Sequence, residues 1–406
     1  MLRTSRNEAD MKRKSRHLTE QTATHEDVAR PAESQRDPET LRGALTEWIS
    51  AQLPADAALS VDHAELPSAN GMSSETILAD AQWTENGERA AHRLVIRTAP
   101  QPDSSPVFST YDMRRQFDVM EKLGRHTSAV VPPVLWYCDD PSVLGGEFFV
   151  MKRVDGEVPP DRMPYTFGSW VSEASDADRR KMQRLTVDQI ARVHSAPVEE
   201  FAFLDDAQEG ETGLDAHVRR THDFYEWVRG SAGAGPTIPL IDRGFAWLRE
   251  NWPTESLRTK DAVSWGDSRP GNVIYQDFEP VALLDWEMAT VGPRELDLGW
   301  IIFLHRFFQD LAETAGLAGL PSFCRREDIA AEYAALTGHH ASDLDFYTAY
   351  AALQHAVIMV RIQMRAMAFG MAEMPNDPDD LILHRATLEK MLDGKYWSQL
   401  GEETGA

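Results

Sequence analysis

Three polar residues stand out by type and spacing. Asp267 and Asn272 lie in the run Trp265-Gly266-Asp267-Ser268-Arg269-Pro270-Gly271-Asn272, and Asp285 ends the apolar run Val281-Ala282-Leu283-Leu284. Pro270 disfavours helix at Arg269, and Gly271 permits a positive φ. The stretch is therefore expected to be a loop that gathers a carboxylate, a guanidinium and a carboxamide. Val273 to Tyr275, a turn over 276–280 and Val281 to Leu284 read as a hairpin that returns Asp285 to the neighbourhood of Asn272. Two oxygen donors from different strands suit Mg²⁺, which takes few protein groups and fills its shell with substrate phosphates. Asp267 is then left to accept a proton from a substrate hydroxyl.

These residues need a frame, and the chain supplies two textures. Asp37-Pro38 opens a helix with Leu41, Leu45, Trp48, Ile49 and Leu53 at helical spacing. From Ala64 to Val154 the pattern is β. Strands are expected over Thr76–Trp83 and Ala90–Arg97 around Glu85-Asn86-Gly87, with a helix over Tyr111–Leu123 and a further strand over Phe148–Val154. Asp155-Gly156 reads as a hinge. The small-residue turn Asn70-Gly71-Met72-Ser73-Ser74 could bring N–H groups and hydroxyls close to a phosphate. Beyond 157 the chain is mostly helical, with helices expected over Asp176–His194, Asp215–Val228, Ile238–Asn251, Trp300–Thr314, Arg326–Thr337, Asp343–Phe369 and Asp379–Leu392. Arg229 to Pro236 reads as a flexible loop. The methionines Met359, Met364, Met367, Met371 and Met374 are expected to pack rather than to line a substrate site.

Composition bounds the function. The 406 residues carry a net charge of -24, which argues against nucleic-acid or anionic-membrane binding. Cys138 and Cys324 are too few for a disulfide framework, so a reducing cytoplasm is the expected home. No apolar run approaches a membrane span. Residues 1–36 are polar and read as a mobile tail. Their basic cluster is not followed by the apolar run of a secretory signal.

The loop and strand together resemble the catalytic core of the aminoglycoside/choline-kinase-like phosphotransferases. In that family a His-Gly-Asp-x-x-x-x-Asn loop precedes a hydrophobic strand ending in Asp. Trp-Gly-Asp-x-Arg-x-Gly-Asn with Leu284-Asp285-Trp286-Glu287-Met288-Ala289-Thr290 is similar to an actinobacterial subgroup of uncertain substrate. The resemblance extends faintly from about residue 64 to about 390. It implies an α+β, two-lobed, protein-kinase-like fold, with a lobe over 37–155 that binds nucleotide and a mainly helical lobe over 156–406.

It also implies an ATP- and Mg²⁺-dependent transfer to a hydroxylated small molecule, with Asp267 as base and Asn272 and Asp285 as metal ligands. Arg269 stands where protein kinases keep a Lys near the γ-phosphate, and a phosphate role is preferred over a local carboxylate pair. Ser73 and Ser74 fall in the phosphate-covering loop. Adenine would bond the backbone at Lys152 and Val154. Arg97 and Gln116 take the places of a strand Lys and a helix Glu, a pair with no second charge to hold the cation. Trp265 replaces the loop His and is expected to fill its space. Asp297 is expected to brace the loop, and His194 to be structural. The weak cation pair also motivates an alternative, a catalytically weak nucleotide-binding relative.

Overall fold

The computed structural model describes residues 37–66, 74–100, 105–161, 164–231, 237–254 and 258–403. The expected tail (1–36), Ser73 and most of the expected loop before Thr237 lie outside the described residues.

Helix α1 (Pro38–Gln52) is capped by Asp37, whose carboxylate accepts the Thr40 N–H at 2.8 Å. Strands β1 (Ser60–Glu65), β2 (Glu75–Glu85) and β3 (Glu88–Thr98) follow, then α2 (Met113–His126), β4 (Val134–Cys138) and β5 (Phe148–Lys152). The five strands form one antiparallel sheet in the order β1-β2-β3-β5-β4. Asn86 (φ 54°) and Gly87 (φ 83°) turn β2 into β3 as the sequence predicts.

Strand periodicity decides what each face does. Phe148 and Val150 of β5 pack with Leu41, Leu45 and Ile49 of α1. Phe149 and Met151 point the other way, with Phe117 and Met120 of α2 and the main core. Arg97 lies opposite Phe149 and Val95 opposite Met151 in the β3–β5 register, so Arg97 is carried on the face that looks towards α2 and the rest of the molecule.

The chain leaves the sheet past Asp155, which takes Arg93 Nη1 at 2.7 and 2.5 Å. The expected hinge is pinned. Glu157 and Tyr275 exchange two backbone hydrogen bonds of 2.9 Å, and a Cβ on Gly156 would meet Ile274 and the Tyr275 carbonyl at 2.5 Å.

The larger, helical part contains α3 (Asp176–His194), α4 (Gly213–Ser231), α5 (Pro239–Glu250), α6 (Glu295–Thr314), α7 (Arg326–Thr337), α8 (Leu344–Ala368), α9 (Arg385–Leu392) and α10 (Tyr396–Glu403). Two ribbons sit between α5 and α6. They are β6 (Ala262–Ser264) with β9 (Thr290–Gly292), and β7 (Val273–Gln276) with β8 (Glu279–Leu283). Helices α6 and α8 are buried along most of their length. This is the α+β, protein-kinase-like architecture expected from the sequence.

Several boundaries differ. Strands β1 and β4 and helix α10 are present without a clear signal in the sequence. Helix α6 starts five residues before the expected Trp300, and Asp379–Leu392 divides into a short 3₁₀ turn and α9. Met359 and Met364 are buried, whereas Met371 and Met374 are exposed. Among the described residues no helix is long and apolar enough to cross a membrane.

Candidate active site

The loop after β6 is built around one buried carboxylate. Asp297 sits in the first turn of α6, wholly buried. Its Oδ1 accepts the Ser264 hydroxyl at 2.9 Å and the Gly266 N–H at 2.8 Å, and its Oδ2 accepts the Trp265 N–H and His194 Nε2, both at 2.8 Å. A carboxylate only accepts, so His194 Nε2 carries the proton and Nδ1 faces the Tyr333 hydroxyl at 2.7 Å. Burial pushes the Asp297 pKa up, but His194 and the loop N–H groups outweigh it and hold the carboxyl below its ordinary value. Asp297 therefore braces the loop, as the sequence predicts, and the buried His194 in turn braces Asp297.

Gly266 is required at its position. Its φ is +90°, and a Cβ would lie 2.4 Å from the Met288 carbonyl oxygen. Trp265 fills the loop interior, donates Nε1 to the Leu284 carbonyl at 2.8 Å and packs on Trp286 at 5.6 Å. It thereby ties the loop to the strand that delivers Asp285.

Asp267 is held on both oxygens. Trp300 Nε1 donates to Oδ1 at 2.6 Å, Asn272 Nδ2 to Oδ2 at 2.6 Å, and Arg269 Nε to both at 3.0 and 3.2 Å. Trp300 lies one helical turn past Asp297 on α6, so one helix face braces the loop and aims its carboxylate. The i, i+3 spacing of Asp297 and Trp300 is the sequence signal for this role.

The Asn272 amide is oriented by this contact. Its Nδ2 also reaches the Asp267 carbonyl at 3.1 Å, so Oδ1 is the atom presented away from Asp267. The hairpin then returns as expected. Leu284 N–H donates to the Asn272 carbonyl at 2.8 Å, one residue before Asp285. Asp285 adopts the left-handed conformation (φ 55°), which Asp tolerates better than most residues.

Two residues of this loop sit differently from the arrangement preferred on sequence. Arg269 does not stand free for a phosphate in this structure. Its Nη1 forks the Asp161 carboxylate at 2.7 and 2.7 Å while Nε holds Asp267. Burial lowers its pKa, but the two carboxylates outweigh burial and raise it. Gly271 serves close approach rather than positive φ. It lies in a 3₁₀ turn over Pro270–Asn272, and a Cβ there would come 2.3 Å from Arg269 Nη1 and 2.7 Å from Asp161 Oδ1.

Opposite the loop, the sheet supplies Arg97. Its Nη2 donates to Asp285 Oδ1 at 2.6 Å and its Nη1 to Thr76 Oγ1 at 3.3 Å. The cation that sequence comparison set beside Gln116 thus pairs with the carboxylate at the end of the hairpin. Arg97, Gln116 and Asp285 line a cavity of about 290 Å³ with Val95, Met151 and Ile274 among its apolar walls.

Lys152 and Val154 line it too, but they differ. The Lys152 N–H is given to the Pro133 carbonyl at 2.9 Å. Val154 lies past the sheet ladder. Ser74 is buried outside this lining, and its hydroxyl has no partner among the described residues.

The profile described as the phosphotransferase enzyme family matches residues 82–335. A solved structure from Ralstonia eutropha JMP134, provisionally named an aminoglycoside phosphotransferase, aligns with a TM-score of 0.60 at 22% identity, covering 88% of this chain and 98% of that one. At that identity the likeness is one of fold.

The chain is also 25% identical over 292 residues to the Arabidopsis thaliana protein named "Probable acyl-CoA dehydrogenase IBR3", covering 67% of this chain and 33% of that protein. It is 28% identical over 214 residues to Homo sapiens acyl-CoA dehydrogenase family member 11, covering 52% of this chain and 25% of that protein. The chain thus spans a third or less of the length of these curated relatives. With the family profile matched over more than half of its length, the chain belongs to the phosphotransferase enzyme family.

Proposed function

We propose that the protein transfers the γ-phosphoryl group of ATP to a hydroxyl of a small molecule, with Mg²⁺ as companion ion. One observation carries the reading. Asp267, Asn272 and Asp285 are brought together by the loop and the β7–β8 hairpin, beside an interlobe cavity lined by Arg97 and Asp285. Phosphoryl transfer needs little covalent chemistry from protein and much positioning and charge.

Each side chain then has a task. Asp267, fixed on both oxygens, orients the acceptor hydroxyl and takes its proton. Trp300, Asn272 and Arg269 keep that carboxylate from rotating, so Arg269 acts here as a positioning residue. Arg97 meets the phosphates. The cavity's apolar walls take the base of the nucleotide, with Val154 at its rim.

Asn272 Oδ1 and the Asp285 carboxylate are hard oxygen donors, and together they fit Mg²⁺. Such an ion would complete its shell with substrate phosphates and water. When bound, Mg²⁺ neutralises charge on those phosphates. Two buried free thiols suit a reducing cytoplasm.

The test is a panel of hydroxylated compounds scored by mass for an ATP-dependent phosphate gain. Aminoglycosides, macrolides and acyl derivatives belong in it, the last because of the names carried by the matched relatives. Gain on at least one member, absent in Asp267→Asn, is expected. A second reading, a weak nucleotide-binding relative, is favoured by the Arg97–Asp285 pair and by Gln116 in place of a carboxylate. ATP binding without transfer to any member would select it.

A further inference from the structure

The proposed base, Asp267, has its acceptor positions filled. An ionised carboxylate offers about four lone-pair positions, two on each oxygen. Trp300 Nε1 takes one on Oδ1 and Asn272 Nδ2 takes one on Oδ2, each at 2.6 Å. Arg269 Nε lies between the oxygens, at 3.0 and 3.2 Å, and takes one on each. No position is left for a hydroxyl proton, so one donor has to withdraw before Asp267 works as a base.

The three donors are not equally fixed. Trp300 is buried and carried by α6. Asn272 is buried, and its Nδ2 is also held by the Asp267 carbonyl at 3.1 Å. Arg269 makes the longest contacts to the carboxylate, and it splits one N–H between two oxygens. Its other end is anchored elsewhere, with Nη1 on both oxygens of Asp161 at 2.7 Å. The guanidinium can therefore turn about its Asp161 end and take Nε off Asp267 without losing a counter-charge.

The backbone makes room for this pair. Gly271 does not adopt a positive φ, yet a Cβ there would come 2.3 Å from Arg269 Nη1 and 2.7 Å from Asp161 Oδ1. The glycine serves the approach of the guanidinium and its anchor. The Asp161 side chain is 43% exposed and that of Arg269 is 15% exposed, so the anchor stands on the solvent side of the guanidinium.

We propose that Arg269 is a movable cap on the base, anchored by Asp161, and that it makes the site select a hydroxyl acceptor over water. With Nε on Asp267, the base does not activate water beside ATP. Water brings no further contacts with which to displace a charge-assisted bond. An acceptor held by the rest of the site does, and Arg269 then retires onto Asp161. Trp300 and Asn272 still hold one position on each oxygen, so the base stays aimed. The inference rests on the phosphotransfer reading and adds a reason why ATP survives without an acceptor.

The test is hydrolysis of Mg-ATP with no acceptor added. In that reaction the water oxygen bonds the γ-phosphorus as the bond to ADP breaks, and Asp267 takes the water proton. Arg269→Met removes the cap and is expected to raise hydrolysis at least about tenfold, the weight of one charge-assisted contact. The rise should vanish when Asp267→Asn is added. Asp161→Asn acts with the opposite sign, because it strands the guanidinium on Asp267. Hydrolysis and transfer should then each fall by about threefold or more, with KM for ATP unchanged. On the Arg269→Met background, Asp161→Asn should change hydrolysis by less than about twofold, which a merely structural role of Asp161 would not reproduce. Asp161 is exposed, so its variant decides if Arg269→Met does not fold.

Hydrolysis in Arg269→Met at or below the wild-type rate, or a rise in Asp161→Asn, would overturn the proposal. The two readings fail separately. Transfer by wild type to an acceptor of the panel, without a rise in Arg269→Met, sinks the cap alone. No consumption of ATP by wild type or any variant, with or without the panel, sinks the phosphotransfer reading and the cap with it.

Discussion

Asp297 and Arg97 each fix a polar residue of the site, one from the helical lobe and one from the sheet, and they do it differently. Asp297 is wholly buried and accepts four hydrogen bonds from four residues, so losing any one leaves three. Arg97 is partly exposed and relies on one ion pair with Asp285 and a long bond to Thr76. The first arrangement over-determines the catalytic loop. The second is exchangeable, as the proposed reaction requires, because Asp285 must be able to give up Arg97 for a metal ion. The contrast separates a wall built for stability from one built to respond to a ligand.

Acid should break this contrast most strongly. His217, His305, His355 and His384 are all buried in the helical lobe. Burial is the first cause that depresses each, to about 3 for His217 and His305, to about 4 for His384 and well below the ordinary value for His355. Below pH 6.5 the unfolded chain takes up protons that the folded chain refuses. The stability is therefore full above 6.5 and is lost as pH falls towards the folded values, by about 1.4 kcal/mol per pH unit for each histidine. Urea unfolding at stepped pH, followed by tryptophan fluorescence, should show this slope beginning near neutrality. A flat profile down to pH 5 would contradict it.

The next largest effect concerns the two anchors themselves. Asp297→Ala leaves loop donors and His194 without their acceptor and should cost roughly 3–5 kcal/mol. Arg97→Ala removes a partly exposed pair and should cost under about 1 kcal/mol. Its loss should appear instead as weaker ATP binding, on the order of tenfold. Equal destabilisation of the two variants in urea would show that the two anchors hold the site alike.

The smallest expected effect sharpens the comparison. Gln116→Glu offers Arg97 a second carboxylate in the same cavity and should ease Asp285 free. ATP binding should tighten, by on the order of threefold. Weaker binding would place Gln116 in a different role.

The two walls also differed in how far they could be read from sequence. The loop was legible because its information is local. Asp267 and Asn272 are five residues apart, the hairpin is signalled by its turn and apolar strands, and Asp297 follows closely. The sheet wall was not. Arg97 and Asp285 meet across 188 residues, which no periodicity reveals. β4 begins directly after Pro132-Pro133 and most of its residues are only partly buried, so it lacks an alternating pattern. The 3₁₀ turn at Gly271 escaped because small size and positive φ both call for Gly, and only coordinates tell them apart. The Arg269–Asp161 pair likewise joins residues 108 apart. Arg115 and Arg220 come from different elements and share an acid on a third segment, so their partnership appears only in the folded chain.

The central claim is that Asp267 acts on the acceptor and not on the nucleotide. Calorimetric titration of Mg-ATP into wild type and Asp267→Ala, run beside turnover on a hydroxyl acceptor found in the panel, tests it directly. ATP affinity is expected to stay within about threefold of wild type while turnover falls by about 10²–10⁴-fold, the usual range for a positioned base. Turnover within a few-fold of wild type would contradict it.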